Sequence, residues 1–251
     1  MPESESRRLK LIISYDGRDF AGWQSQKHGN TIQDNLEAAF ERICGRRPSV
    51  IGSGRTDAGV HALGQCAHVD VPARQLTAER WLKAVNGVLP PTIRILRSRF
   101  VAGSFHARFA ASGKTYRYRI INAVVRPPLE IGRAWHIAAD LDRDMLRQAA
   151  KLFAGQHDFA AFSANRGKPE PSTVRTVEYV RVIERRPFID IEFSADGFLY
   201  KMVRLMVGAI ARCALAKDSL QSIELRLERP SRVGNRFVAP AVGLYLVRVR
   251  Y

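Results

Sequence analysis

Long apolar runs are missing from this chain. Nothing in its 251 residues approaches the roughly 20 consecutive apolar positions that a membrane-crossing helix needs, and the opening MPESESRRLK has no apolar signal core. The expectation is a cytoplasmic protein with no membrane partner. Cysteine is scarce too. Cys44, Cys66 and Cys213 are odd in number and far apart, which argues against a disulfide framework and against a zinc ribbon. Acid is also short: 24 Asp and Glu stand against 40 Lys and Arg, a formal charge of +16. Excess cations spread along the whole chain point to a polyanionic partner. Nucleic acid fits best, because neutralising phosphates with Lys and Arg drives such binding.

Common catalytic signatures are absent as well. The glycine-rich stretch GSGRTDAG, Gly52 to Gly59, lacks the Gly-Lys-Ser/Thr ending of a phosphate loop, and its aspartate would repel phosphate. No serine or cysteine sits in a Gly-x-Ser-x-Gly elbow. His61, Cys66 and His68 lie close in sequence but match no zinc spacing, so a packed cysteine beside a hydrogen-bonded histidine is the expectation. Neither a metal nor a cofactor is expected.

What is present is a mixed pattern of strands and capped helices, 46% hydrophobic overall. LKLIISYDG reads as a strand, Leu9 to Tyr15, ending in an Asp-Gly turn. Thr31, with Asp34 three positions on, caps a helix whose buried stripe is Ile32, Leu36, Ala39, Phe40 and Ile43, stopped by Gly45. A short strand leads into Gly52. In QCAHVDV, Ala67, Val69 and Val71 alternate with Cys66, His68 and Asp70, the pattern of a strand with two unlike faces. Thr77 caps a helix burying Trp81, Leu82, Val85 and Leu89, ended by Pro90 and Pro91, and a strand follows from Ile93 to Phe100.

That order is β-α-β-β-α-β, the ferredoxin-like plan, and the second half repeats it. Lys114 to Ile121 is a strand. A helix from Asp142 buries Met145, Ala149, Leu152 and Phe153. Strands at Val174 to Ile183 and Phe188 to Ser194, a helix from Tyr200 to Ala216 and a strand from Leu244 to Arg250 complete it. Segments 122–140 and 217–243 read as connections. The expected fold is α+β: two ferredoxin-like halves, 1–105 and 106–251, whose antiparallel sheets meet at a central basic cleft.

Three features carry candidate chemistry. Asp57 is the lone acid of its loop, either a turn residue bonding its own backbone or a carboxylate that the glycines let a substrate approach. Arg204, in FLYKMVRLMVGAIARC, is either buried against a carboxylate or part of a solvated, RNA-facing stripe with Lys201, Gly208 and Arg212. Lys114, Tyr116, Arg117, Tyr118 and Arg119 interleave cations with aromatics, suiting phosphate contact and base stacking, or else placing two tyrosines in a core.

Seven segments taken in order, YDGRDFAGWQ, GRTDAGVHALGQ, VNGVLP, FHARF, KTYRY, MVRLMVG and GLYLV, resemble the TruA-type tRNA pseudouridine synthases nearly end to end. The resemblance implies an isomerase that converts uridine to pseudouridine at positions 38 to 40 of the tRNA anticodon stem-loop, without a cofactor, as a homodimer. It implies Asp57 as catalytic aspartate, Tyr116 as active-site tyrosine and Arg204 as the arginine paired with the aspartate. Gly54, Arg55, Gly59, His61, Arg108 and Lys114 fall on the substrate side of the same motifs, Arg55 displacing the target nucleotide. The region Ser163 to Val177 varies in the family. A non-catalytic basic RNA-binding protein is the alternative, with Asp57 as a turn residue.

Overall fold

The computed structural model describes residues 6–73, 75–165, 167, 170–231 and 237–251. Its elements in chain order are β1 (Ser6–Tyr15), α1 (Ile32–Cys44), β2 (Ile51–Gly52), β3 (His61–Pro72), α2 (Ala78–Val88) and β4 (Ile93–Val101). There follow β5 (Gly113–Asn122), β6 (Trp135–Ile137), α3 (Arg143–Lys151), β7 (Gly155–Asp158), β8 (Val174–Arg185), β9 (Phe188–Ala195), α4 (Met202–Ala214), α5 (Leu220–Glu228) and β10 (Leu244–Arg250). The fold is α+β and its strands are mostly antiparallel. Two compact units divide it: residues up to Ser112 together with Leu246–Tyr251, and Gly113–Tyr245.

In the first unit β1 pairs antiparallel with β3 on one side and β4 on the other, and the two-residue β2 pairs with β3. The third strand of the β-α-β-β-α-β series thus lies between the first and second, as the split βαβ plan requires. Residues from Leu246 of β10 also lie beside β3. Leu9, Leu11 and Ile13 alternate along β1 and are fully buried, with Val69 and Ala67 opposite the first two. Both helices keep their predicted caps: Thr31 Oγ1 accepts the Asp34 N–H at 3.1 Å, Thr77 Oγ1 that of Arg80 at 3.3 Å, and Gly45 takes φ 72°. Phe40 and Trp81 pack with ring centroids 5.6 Å apart. Ile43 and Leu82, expected in the buried stripes, are half-buried at their margins.

At β3 the packed cysteine and the hydrogen-bonded histidine are as expected. Its second face is not solvated: Cys66 and His68 are buried, and only Asp70 of the three is partly exposed. The segment after β4 and the C-terminal Tyr251 cover that face. The Ala107 N–H donates to His68 Nδ1 at 3.1 Å, the Tyr251 hydroxyl donates to the Ala107 carbonyl at 2.8 Å, and Arg8 donates to the Gly103 and Phe105 carbonyls while gripping Asp70 at 2.8 and 2.7 Å. No periodicity reports a covering segment supplied from far along the chain.

In the second unit β9 lies between β5 and β8, all antiparallel, and β7 continues the order beyond β8. Helix α3 starts at its predicted cap, Asp142, whose carboxylate accepts the Met145 N–H at 2.9 Å. Its buried stripe is Leu146, Ala149 and Ala150 followed by Phe153, whereas Met145 and Leu152 are half-buried. The apolar face is therefore turned by one position from the predicted one. Helix α4 begins at Met202 rather than Tyr200, because Lys201 adopts φ 59°, and it ends before Ala216 at φ 53°; neither value continues a right-handed helix. Three elements within or beside the expected connections were not foreseen: β6, β7 and α5. GQHD of β7 has no β-branched residue and is a strand because its backbone pairs with Val174–Val177. Arg166, Lys168 and Pro169, in the stretch expected to vary, lie outside the described residues. No helix among the described residues is long and apolar enough to cross a membrane.

Candidate active site

The loop between β2 and β3 carries Asp57, and close backbone contact fixes it. A Cβ on Gly17 would collide with the Val60 carbonyl, and one on Gly22, at φ 94°, would stand 2.6 Å from the Thr56 carbonyl oxygen. Glycine alone lets the YDGRDFAGWQ segment lie this close to GRTDAGV. The contact is then stitched by hydrogen bonds. The Trp23 N–H donates to the Thr56 carbonyl at 3.0 Å, the Tyr15 hydroxyl and Thr56 Oγ1 are 2.8 Å apart, and the Gln65 amide donates to the Gly54 carbonyl at 2.9 Å. Ser53 Oγ donates to Gln65 Oε1 at 2.7 Å. Burial pushes the Tyr15 phenol well above its ordinary pKa, so it stays protonated.

Asp57 itself is half-buried and opens a β-turn: its carbonyl accepts the Val60 N–H at 3.1 Å, with Gly59 at φ 77° in the third position, where a type II turn needs a positive φ. The turn reading and the functional reading of Asp57 are thus compatible. The backbone carbonyl makes the turn, and the carboxylate is held on a rigid loop. Ala58 beside it is exposed, as is Arg55, whose Nε donates to Gln24 Oε1 at 3.2 Å. Gly54 and Gly59 are half-buried. His61 is buried, and its Nδ1 accepts the Gly17 N–H at 3.1 Å. Asp16 Oδ1 approaches the same nitrogen at 3.3 Å. No three His, Cys, Asp or Glu side chains among the described residues are placed to hold a metal ion.

Arg108 is exposed on the turn after β4, 5.7 Å from the Phe109 ring, and Phe109, itself 78% exposed, stacks on His106.

In the second unit Tyr116 is a buried residue of β5, opposite Phe193 and edge-on to Phe198 at 5.0 Å. Tyr118 shares its face and is fully buried, its hydroxyl donating to the Pro240 carbonyl at 2.7 Å. Lys114 is half-buried opposite Ala195. Two cations of this strand, Arg117 and Arg119, are already engaged by acids. Arg119 grips Asp190 at 2.8 Å through both arms, and Arg117 lies 3.6 Å from Glu192.

Arg204 is half-buried near the start of α4. Its Nε donates to the Ala239 carbonyl at 2.7 Å, and the Ala239 N–H donates back to the Arg204 carbonyl. Segment 237–240 thus lies on the helix face that includes Arg204 and Gly208, and at Gly208 a Cβ would meet the Phe237 carbonyl. The face is covered by protein instead of forming an open stripe. Sequence reasoning passed over Tyr15, Gln24, Thr56 and Gln65, although all lie in the two segments that carry the loop.

Comparison with known proteins covers these segments. The family model described as tRNA pseudouridine synthase matches residues 11–110 and 149–251, which include the Asp57 loop and Arg204. The chain belongs to the tRNA pseudouridine synthase family. Tyr116 and Lys114 lie between the two matched stretches. Among curated relatives, the tRNA pseudouridine synthase A of Akkermansia muciniphila is 45% identical over 97% of this chain and 95% of its own length. That of Methylacidiphilum infernorum is 44% identical over 96% and 94%, and that of Rhodospirillum rubrum 41% over 97% and 87%. Membership spans both units, so the family assignment does not rest on the glycine loop alone.

Proposed function

We propose that the protein isomerises uridine to pseudouridine at positions 38 to 40 in the anticodon stem-loop of tRNA, with Asp57 as the nucleophile. The observation that carries this reading is the placement of Asp57, the lone acid of its loop, on a turn locked by glycine contacts within a motif of the family. The reaction breaks the bond from N1 of uracil to the ribose, turns the base and rejoins it through C5, which gives up its proton to solvent while N1 takes one up. A carboxylate that forms and then releases a covalent adduct divides that step in two. No electrons or groups enter from outside.

A stacked uridine cannot reach a half-buried carboxylate, so the nucleotide is flipped out, with the exposed Arg55 aiding its displacement. Gly54, Ala58 and Gly59 keep the loop slim enough for the base to approach. Tyr116 contacts the extruded ring and Arg204 supports the aspartate's charge; both roles come from the resemblance. His61 serves the substrate indirectly by holding Gly17, while Arg108 and Lys114 contact the RNA backbone. The enzyme acts as a cytoplasmic homodimer, for which the exposed Val124, Val125, Leu129 and Ile131 provide an apolar surface.

Tritium release from tRNA labelled at C5 of uridine tests the reading, with wild-type and Asp57→Asn proteins side by side. Release by wild type alone is expected. Equal release by both would remove Asp57 as nucleophile, and release by neither, with binding retained, would favour the non-catalytic alternative.

A further inference from the structure

Cross-strand register places some charges directly opposite one another, and several sheet arginines face acids. Arg8 stands opposite Asp70, Arg117 opposite Glu192 and Arg119 opposite Asp190. At one position a lysine and an arginine meet instead. Lys10 of β1 stands opposite Arg99 of β4, with Arg97 two residues along on the same face, opposite Ile12. Like charges set directly opposite destabilise a sheet, so this arrangement costs stability as it stands.

No carboxylate among the described residues pairs with either arginine of this group. Neither the Arg97 nor the Arg99 side chain has a hydrogen bond or ion pair among the described residues, and both are exposed. Glu79, the one acid at the site, is engaged with Lys83 at 2.8 Å. Lys10 is buried, with its ammonium 3.6 Å from the Tyr251 ring centroid and 4.6 Å from that of Phe105, so it cannot swing away from Arg99. Burial lowers its pKa, opposed in part by Cys66 and reinforced by Arg99.

The three cations line a recess of about 570 Å³ together with Ile12, Leu82, Ser98 and the Lys83-paired Glu79. Strand β4 is the edge of its sheet, which leaves the recess open to a large partner. Lys10 lies five residues before Tyr15, whose hydroxyl is tied to Thr56 of the Asp57 loop. At about 3.3 Å per residue the recess is roughly 17 Å along the strand from the loop's anchor.

We propose that the Lys10, Arg97 and Arg99 recess binds backbone phosphates of the substrate RNA at a point remote from the reacting uridine. This rests on the reading that the substrate is RNA. A phosphate supplies the missing anion between Lys10 and Arg99, and the planar guanidinium forks of Arg97 and Arg99 match its oxygens. The recess reads no sequence. It fixes where along the RNA the protein sits.

The test is tRNA binding by wild-type, Arg97→Gln and Arg99→Gln proteins across a salt titration, with thermal midpoints recorded to establish that each variant is folded. Each substitution is expected to weaken binding about five-fold near physiological salt and to make the slope of log K against log salt shallower by about one. In tritium release the loss falls on KM. Folded variants with wild-type affinity and slope would overturn the proposal, as would a loss confined to kcat. Because binding is read without chemistry, altered slopes in a wild-type background that releases no tritium would sink the isomerase reading and leave the phosphate site standing.

Discussion

The Tyr15 and Thr56 hydroxyls, both buried, lie 2.8 Å apart and join the end of β1 to the loop that carries Asp57. This bond makes the loop an extension of the sheet. In Tyr15→Phe the Thr56 hydroxyl loses its partner while the ring still fills its space. A loss of about 1–2 kcal/mol is expected in urea unfolding, with slower tritium release at unchanged tRNA affinity. Unaltered stability and turnover would mean that the loop is held by its glycine contacts alone.

Two glycine substitutions should move stability in opposite directions. Gly17→Ala drives a methyl into the Val60 carbonyl, and backbone cannot step aside as a side chain can; roughly 1–3 kcal/mol or more is lost. Gly87→Ala, inside α2 with nothing within 4 Å of the new Cβ, should gain about 0.5–1 kcal/mol from helix propensity. Thermal melts of the two variants check the contrast directly.

Arg119 is paired within the sheet and Arg99 is not, so their roles should separate. Arg119→Gln leaves Asp190, only 8% exposed, without its bidentate partner, and a loss of about 1–3 kcal/mol in stability is expected. Its salt dependence of tRNA binding should match wild type. A shallower slope for Arg119→Gln would show that the ion pair opens to phosphate.

His68 sets a pH dependence. Burial, then the charges of Arg8 and His106, lower its pKa to about 4 from an ordinary value of 6.5, and its Nδ1 accepts the Ala107 N–H. Between those values the unfolded chain binds a proton that the folded one does not, so stability is fully present above about pH 6.5 and declines as pH falls toward 4. His68→Gln retains an acceptor without the titration. Denaturant unfolding of that variant should show a flatter profile between pH 6.5 and 4, whereas a profile parallel to wild type would assign the decline to other groups.

Much of this protein is local and therefore legible. Thr31, Thr77 and Asp142 cap their helices through N–H groups three residues away, and Gly45 ends α1 by its own φ, so helix limits follow from short spans of chain. The strands β1, β4, β5, β8, β9 and β10 also follow from alternation. Errors gather where a distant partner decides. The stripe of α3 turned by one position because its packing partners, not its pattern alone, choose the buried side. Strand β7 exists through its pairing with β8, and α5 buries only Ile223, too little for a readable stripe.

The sequence by itself determined the β-α-β-β-α-β order, the excess of cations, the lone acid of the glycine loop and, through its motifs, the family. Tertiary structure alone decided which charges meet. Arg117 and Arg119 read from sequence like phosphate ligands, yet β9 sets acids opposite them; Lys10 and Arg99 stand far apart in sequence, yet pairing of β1 with β4 sets them against each other. The reason is physical. Side-chain alternation is a property of one strand, but register belongs to a pair, and a Coulomb interaction depends on a distance that no single strand contains.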